Sequence, residues 1–532
     1  MRRQQLLAAM FVLMVGGCAS GLNSQGIGTK LRAANQSPIA QDVQPYAPTI
    51  TQPQDDGNSI VSEVIPVAYE VPMNVPAESA NPEEILPGTS AGVLDLGQVI
   101  ESVRRSYPLL EAAYSSRDIA YGDHIAAHGA FDTKLKGASE NGPAGFYETY
   151  RNSIGAERPI YGGGELFAGY RIGRGEFQPW YLERQTDKGG EFKAGLAMPL
   201  VRNVDIDSRR AQLWRTAVGQ ELAEPEIRLQ LLDFVRAASY AYWDWVAAGE
   251  RYRIAASLLE IAEGRNDAIR RKVETGDTEP PVLQDNRRLI VSREAKLIDA
   301  ERKLRQSAIK LSLFWRDDAG QPLVPEAKLL PVFAMPDAPD ESARGVDIQT
   351  ALANRPELQA LSLLRQQLEI DSAEAQNDLL PDVQAVVALS QDVGEAATSK
   401  RDKSEFEVEA GVFLEVPLQR RKARGKLTAI DGKLQQVAAK TRMTEDKIVA
   451  DVRAVYAALT TAFRQIGWAH ESAALADQLA EIERRKFDLG ESDLLSVNLR
   501  EQQAAEAQST EVDAHYDYFA ALADYQAILA RE

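Results

Sequence analysis

The sequence holds a single cysteine, Cys18, in 532 residues. A disulfide needs two, so no internal bridge is possible. Only four histidines are present. His124 and His128 stand one helical turn apart, but they lack the glutamate of a metalloprotease helix and any evident third ligand, so no metal site is expected. Gly162-Gly163-Gly164 and Gly173-Arg174-Gly175 lack the Lys-Ser/Thr of a phosphate loop, which argues against nucleotide. No Ser/His/Asp set stands out, so neither catalytic residues nor a cofactor is expected. Excess positive charge is also missing. The formal net charge of −18 excludes nucleic acid, which rewards basic surfaces. Finally, no segment approaches the ~20 apolar residues that a transmembrane helix requires. Any membrane crossing must therefore use strands.

What is present begins at the N-terminus. Arg2 and Arg3 precede an apolar stretch from Leu6 to Val15, the pattern of a signal peptide over residues 1–17. Val15-Gly16-Gly17-Cys18 resembles a bacterial lipobox, so cleavage before Cys18 and its acylation are expected. Ala19 follows, without the aspartate that typically retains lipoproteins in the inner membrane, and this favours the outer membrane. Residues 18–92 then supply the lipid-bearing cysteine and a tether rich in Pro, Ser, Asn and Gln, with no sustained periodicity.

Beyond residue 92 the chain repeats itself, over 93–330 and 345–532, with 331–344 as a linker. Tyr107-Pro108-Leu109-Leu110 and Arg355-Pro356-Glu357-Leu358 each open a helix. Ala194 to Leu200 and Val412 to Leu418 each close an alternating run on Pro-Leu. Arg270-Arg271-Lys272-Val273-Glu274-Thr275-Gly276-Asp277 matches Arg484-Arg485-Lys486-Phe487-Asp488-Leu489-Gly490-Glu491, with glycine placed to break a long helix. Each repeat reads as helix, β-hairpin, very long helix, turn, helix. The helices are expected near 98–129, 206–274 and 282–315, then 356–380, 420–488 and 493–529. The hairpins fall in a region ending near 201 and at 382–392 with 405–417. Residues 140–190, rich in glycine and aromatics such as Tyr161, Phe167, Tyr170, Phe177 and Trp180, fit a surface loop, an extra strand or a plug.

A helix of some 70 residues spans roughly 105 Å, which no compact domain holds. Two shorter helices stacked end to end match its length. Leu283, Ile290, Leu297, Leu304 and Leu311 recur every seventh residue, as do Ile448, Val455, Ala462, Ala469 and Ala476, and Ala507, Ala514, Ala521 and Ile528. Such spacing suits a tunnel wall of coiled-coil staves and equally an ordinary soluble coiled coil. The hairpins bear on that choice. Phe406, Val408, Ala410, Val412, Leu414 and Val416 alternate with Glu405, Glu407, Glu409, Gly411, Phe413 and Glu415. Phe192, Ala194, Leu196, Met198 and Leu200 make a similar face, and so do Val383, Ala385, Val387 and Leu389. Transmembrane strands need about 9–11 residues with one lipid face, although half-buried soluble sheets alternate too. Two hairpins give four strands, too few to close a barrel, so chains must pool them. Three copies give about twelve.

Together these landmarks resemble the TolC family of outer membrane efflux proteins, from residue 93 almost to the end. The clearest match is Asn354-Arg355-Pro356-Glu357-Leu358, then Ala373 and Ala375, then Leu379-Leu380-Pro381 entering a strand. The resemblance implies a mainly α fold with a membrane β-barrel portion: a homotrimer with a 12-stranded barrel in outer-membrane lipid on a 12-helix periplasmic tunnel. It implies a passive conduit for efflux or type I secretion. Its partners would be a periplasmic adaptor (membrane fusion) protein and an inner-membrane pump that supplies the energy. The tips that open and meet the adaptor would be Val273, Thr275, Gly276 and Asp277, with Phe487, Leu489, Gly490 and Glu491. The basic triplets before them fit partner contacts or solvated helix-end charges. The family's acidic ring aligns with Ser496 and Leu499, which are not acids. Asp493 is the nearest candidate, and Glu405, Glu407 and Glu409 are candidate lumen acids. The competing reading is a periplasmic coiled-coil lipoprotein scaffold that never crosses the membrane. Substrate stays open among drugs, metals, polysaccharide and polypeptide.

Overall fold

The computed structural model describes residues 92–177, 185–397 and 406–531. Cys18, Trp180 and Glu405 lie outside the described residues. The chain divides into two units. Among the described residues the smaller one includes 144–148 and 175–177, and in it the Glu176 N–H donates to the Glu148 carbonyl at 2.7 Å. The larger one holds the helices and the sheet, with the third strand up to Arg174.

Proline sets the first breaks. Helix α1, Leu96–Ser106, starts from a capping box between Asp95 and Gln98, which satisfies two of the amide donors a helix start leaves open. It ends at Tyr107, whose extended backbone (φ −81°, ψ 118°) is what a following proline imposes. Helix α2, Pro108–His128, then begins with proline in its first turn. The single helix expected over 98–129 is therefore two. The same break recurs later, where α5, Arg344–Asn354, yields at Arg355 to α6, Pro356–Asn377.

The long helices are α3, Ser208–Glu274, of 67 residues, and α7, Arg421–Asp488, of 68. Helix α4, Pro280–Leu311, returns along the distal part of α3, and α8, Leu494–Ile528, returns along α7. Helix α2 lies along the proximal part of α3, where Arg117 forks onto Glu224 and His124 meets Thr216. Two shorter helices thus share each long one. Helix α3 runs on through the buried Pro225, at which one backbone bond is necessarily missing.

The coiled-coil seams are partly those expected. In α7 the buried positions include Ile448, Val455 and Ala462, and a second series, Val452, Leu459, Ile466, Ala473 and Ala480. In α4, Leu304 and Leu311 are buried, but Leu283, Ile290 and Leu297 are only half-buried. The seam there passes instead through Asn286, Arg293 and Ser307, all buried. The main core lies midway along the helices. Trp243 stacks on Phe519 with centroids 3.9 Å apart, and Phe333 packs against both. Gly249 gives this core room, since an added Cβ there would lie 2.6 Å from Leu330.

Between α2 and α3, and between α6 and α7, the chain enters one six-stranded sheet in the order β1-β2-β3-β4-β5-β6. The strands are β1 Lys134–Gly142, β2 Thr149–Pro159, β3 Glu165–Gly175, β4 Glu191–Pro199, β5 Asp382–Asp392 and β6 Phe406–Glu415. The four strands per chain expected from the sequence are thus six, and the region 140–190 contributes to three of them. Strands β1 and β2 escape a pattern search because their apolar residues are sparse: only Leu135, Ile154 and Tyr150 are large. Close approach explains the glycines. Gly155 and Gly169 lie opposite each other, and a Cβ on Gly155 would come within 2.9 Å of the Ala168 carbonyl oxygen.

A polar collar fixes the sheet to the helices. The Asn377 side chain accepts from the Asn203 N–H at 2.8 Å and donates to the Asn203 side chain at 2.9 Å. Asn203 adopts φ 67°, a conformation asparagine tolerates better than most. Arg210 donates to the carbonyls of Asn203 and Val204 and pairs with Asp207, the N-cap of α3. Below it, Arg215 bridges Asp371 and Glu374, and Lys426 reaches Glu374 at 3.2 Å. Burial works against the Glu374 carboxylate, but the hydrogen bonds from Arg215 and Lys426 outweigh it and hold the group below its ordinary range.

Candidate functional site

Two regions bear on function: the faces of the sheet and the distal helical turns. Strand register sorts the side chains. Leu196 pairs with Leu166 and Val387, and Ala194 with Ala168 and Leu389. Val387 pairs with Ala410, Leu389 with Val408, and Val383 with Leu414. These residues share one face, continued on β4 by Phe192 and Met198. The face is open: Val408 is 61% exposed, Val412 67% and Leu414 68%. The alternate residues form the opposite face, which is rich in charged and small side chains but also carries Phe167, Val386 and Phe413, and three ion pairs lie on it. Lys193 meets Glu409 at 2.6 Å, Arg171 meets Glu191 at 2.5 Å, and Lys136 bridges Glu157. Phe167 lies over Gly195, where a Cβ would come within 2.4 Å of its ring.

A large exposed apolar surface is costly in water, and patches of this kind mark lipid or protein contact. No helix among the described residues is long and apolar enough to cross a membrane. Of the expected lumen acids, Glu409 is on the charged face and pairs with Lys193, and Glu407 is half-buried on that same face.

The helical turns are built alike. Helix α3 ends at Thr275, then Gly276 takes φ 81°. The Gly276 N–H donates to Val273 and the Asp277 N–H to Lys272 at 2.8 Å. Helix α7 ends at Leu489, then Gly490 takes φ 80°. The Gly490 N–H donates to Phe487 and the Glu491 N–H to Lys486, again at 2.8 Å. This is the paired closure in which glycine permits the left-handed residue past a helix end. Thr275, Gly276 and Asp277 are exposed and Val273 is half-buried. Leu489, Gly490 and Glu491 are exposed and Phe487 is half-buried. Lys272 joins the two turns, donating to the Asp488 carbonyl at 3.2 Å with its ammonium 5.5 Å from the Phe487 ring centre.

Asp493 caps α8, accepting from the Ser496 N–H at 2.7 Å, and that backbone bond holds its carboxyl below the ordinary range. A Cβ on Gly276 or Gly490 would meet open space, so alanine there suffers only from the backbone angle. Gly276→Ala and Gly490→Ala are each expected to cost about 1–2 kcal/mol. Amide exchange at Asp277 or Glu491 should accelerate by roughly 5–30-fold, with the cores of α3 and α7 unchanged. Unchanged exchange at both amides would show that the left-handed residue is not what closes the turn.

One residue near the turns was not foreseen. Glu501 of α8 is 2% exposed. Its carboxylate accepts from Arg265 of α3 at 2.5 Å and from Arg293 of α4 at 2.8 Å, and Arg484 of α7 approaches at 3.9 Å. All four distal helices meet at this carboxylate. Burial lowers the pKa of Arg293, and the Glu501 hydrogen bond opposes that shift. Arg293 also donates to the Leu258 carbonyl at 2.6 Å. The sequence signal is a glutamate in an otherwise apolar seam, Leu494, Val497, Glu501, Ala504.

Comparison with known proteins places this geometry. Residues 348–531 match the family model described as outer membrane efflux protein. No curated protein sequence matches the chain. Among solved structures the fold is similar to the outer-membrane channel OprN, at 13% identity and TM-score 0.58, covering 82% of this chain and 90% of that one. It is similar to the CmeC outer membrane channel of Campylobacter jejuni, at 13% identity and TM-score 0.58, covering 86% and 94%. It is likewise similar to the outer membrane protein VceC of Vibrio cholerae, at 15% identity and TM-score 0.58, covering 82% and 97%.

Proposed function

We propose that this chain, whose residues 348–531 match the outer membrane efflux protein model and whose fold is similar to that of solved outer-membrane channels, is the subunit of a trimeric conduit from periplasm to exterior. It is a passive part of a tripartite efflux or type I secretion system. A signal peptide is removed before Cys18, acyl chains on Cys18 hold the N-terminus at the outer membrane, and residues 19–92 serve as the tether. The two repeats, 93–330 and 345–532, place their strands in lipid and their helices in the periplasm. The turns at Val273 to Asp277 and Phe487 to Glu491 face a periplasmic adaptor, which links them to an inner-membrane pump. Asp493, Glu407 and Glu409 line the passage.

The observation that carries this reading is the exposed apolar sheet face backed by a charged one, on a chain with no membrane-spanning helix among its described residues. Such a face needs lipid, and its open strand edges need partners. The test is reconstitution of detergent-purified protein into planar bilayers. Discrete conductance steps from a heat-modifiable trimer are expected. If a Cys18→Ser variant is instead recovered as a monomer from the aqueous periplasmic fraction, the chain is a coiled-coil scaffold and the conduit reading falls.

A further inference from the structure

The sheet of one chain is open at both ends, and its two edges fit one another. Strand β1 is one edge and β6 the other, and neither has a second partner among the described residues. Strand β1 pairs antiparallel with β2, β3 with β4, β4 with β5, and β5 with β6. The turn between β2 and β3 closes with the Ile160 N–H on the Gly164 carbonyl. Alternation along six strands makes β1 and β6 run in opposite directions, so a β1 edge meets a β6 edge of another copy as an antiparallel pair.

Charge selects the same meeting. The register from β1 to β2, the Gly155–Gly169 approach, and the registers from β3 to β6 put Lys134 and Lys136 on the face that carries Glu407, Glu409 and Glu415. Glu140 shares that face toward the far end of β1. Two β6 edges would bring glutamates together, whereas the unlike pairing sets the lysine end of β1 against Glu415. Lys136 already bridges Glu157 and Glu409 already meets Lys193. Lys134 and Glu415, both exposed and both at the helix-facing ends of their strands, are the pair the seam adds. A head-to-tail contact of this kind makes a closed ring when the rotation closes.

We infer that β1 of each chain pairs with β6 of the next, so that three copies close a barrel of eighteen strands rather than twelve. The inference rests on the trimeric conduit proposed above and fixes its seam and its width. Barrel diameter grows roughly linearly with strand number, so eighteen strands give about 1.5 times the diameter of twelve, within the porin range. The hairpin of β1 and β2 is then a widening insert in the wall, neither a plug nor a surface loop.

Cysteine cross-linking in the full chain tests this. Within one chain the two edges are separated by five strand spacings, roughly 24 Å, far beyond the ~7 Å limit for a disulfide. Any bond between them must therefore join two copies. Double variants place cysteine at Lys134, Lys136 or Ala138 and at Glu409, Phe413 or Glu415. The unsubstituted chain, with Cys18 alone, is the control. Oxidation in outer membranes is expected to give a reducible ladder ending at three chains for at least one pair. Links from β6 to β3 instead, using Phe167→Cys or Arg171→Cys, would show that the hairpin lies outside the wall and would overturn the seam. No β1–β6 link in a trimer that still conducts would overturn it as well, leaving the conduit intact. Loss of both trimer and conductance in the unsubstituted chain would overturn the conduit reading itself, and the seam with it.

Discussion

Glu501→Ala is expected to destabilise the helical body by about 3–5 kcal/mol, because it strips the counter-ion from two buried guanidinium groups. Arg265 and Arg293 have side chains only 8% and 5% exposed, and both point at the carboxylate that would be lost. Water cannot easily replace it, since Arg293 is fixed on the other side by the Leu258 carbonyl. The cost reflects stranded charge, not the net worth of the pairs, and a second variant separates the two. Glu501→Ala combined with Arg265→Met and Arg293→Leu removes the charges together and should recover most of the loss. Denaturant midpoints of the detergent-solubilised protein measure both effects, at fixed protein concentration because association shifts apparent stability. A single variant with an unchanged midpoint would mean the cluster is effectively solvated.

This cluster also shows where the sequence is legible and where it is not. The long helices could be read because heptads repeat over many turns, and any error in one turn is corrected by the next. The distal turns could be read because glycine past a helix end has one conformational purpose, and the same basic triplet precedes it twice. Strands β4, β5 and β6 could be read from strict alternation. Strands β1 and β2 could not, because Gly137, Ser139 and Asn141 in one and Asn152 in the other interrupt the apolar face with small and polar residues. Their place in the sheet follows from backbone pairing and from the fit of Gly155 against Gly169, neither of which leaves a periodic trace. Glu501 was hidden for a different reason. A glutamate among Gln and Ala on a helix reads as a solvated face, and its partners Arg265 and Arg293 lie more than 200 residues away in sequence. The offset of the α4 seam from Leu283, Ile290 and Leu297 to Asn286 and Arg293 is equally local to the packed structure, since Arg293 turns inward to Glu501 and Asn286 to Asn266 and the Ala262 carbonyl.

Arginine on the open sheet face is expected to have the largest effect on assembly. Val408→Arg puts a charge in the apolar row Val408, Leu389, Ala194 and Ala168, and Val412→Arg one in the neighbouring row Val412, Ala385 and Met198 of the same face. If these rows lie near the bilayer midplane, each chain loses about 2–4 kcal/mol, and a trimer carries the penalty three times. The variants should fail to form the heat-modifiable trimer and should accumulate as misassembled chain in the periplasm. Phe413→Arg is the matched control, one residue along from Val412 on the opposite face of β6. If the proposed conduit is right, the charge there shares the passage with Lys193 and Glu409, so the trimer should assemble and its conductance should shift toward anions. The two faces of the strand thus give opposite outcomes for the same residue in adjacent positions. Equal tolerance at Val412 and Phe413 would mean that water bathes both sides of the sheet, and the sheet would then have no claim to lie in a membrane.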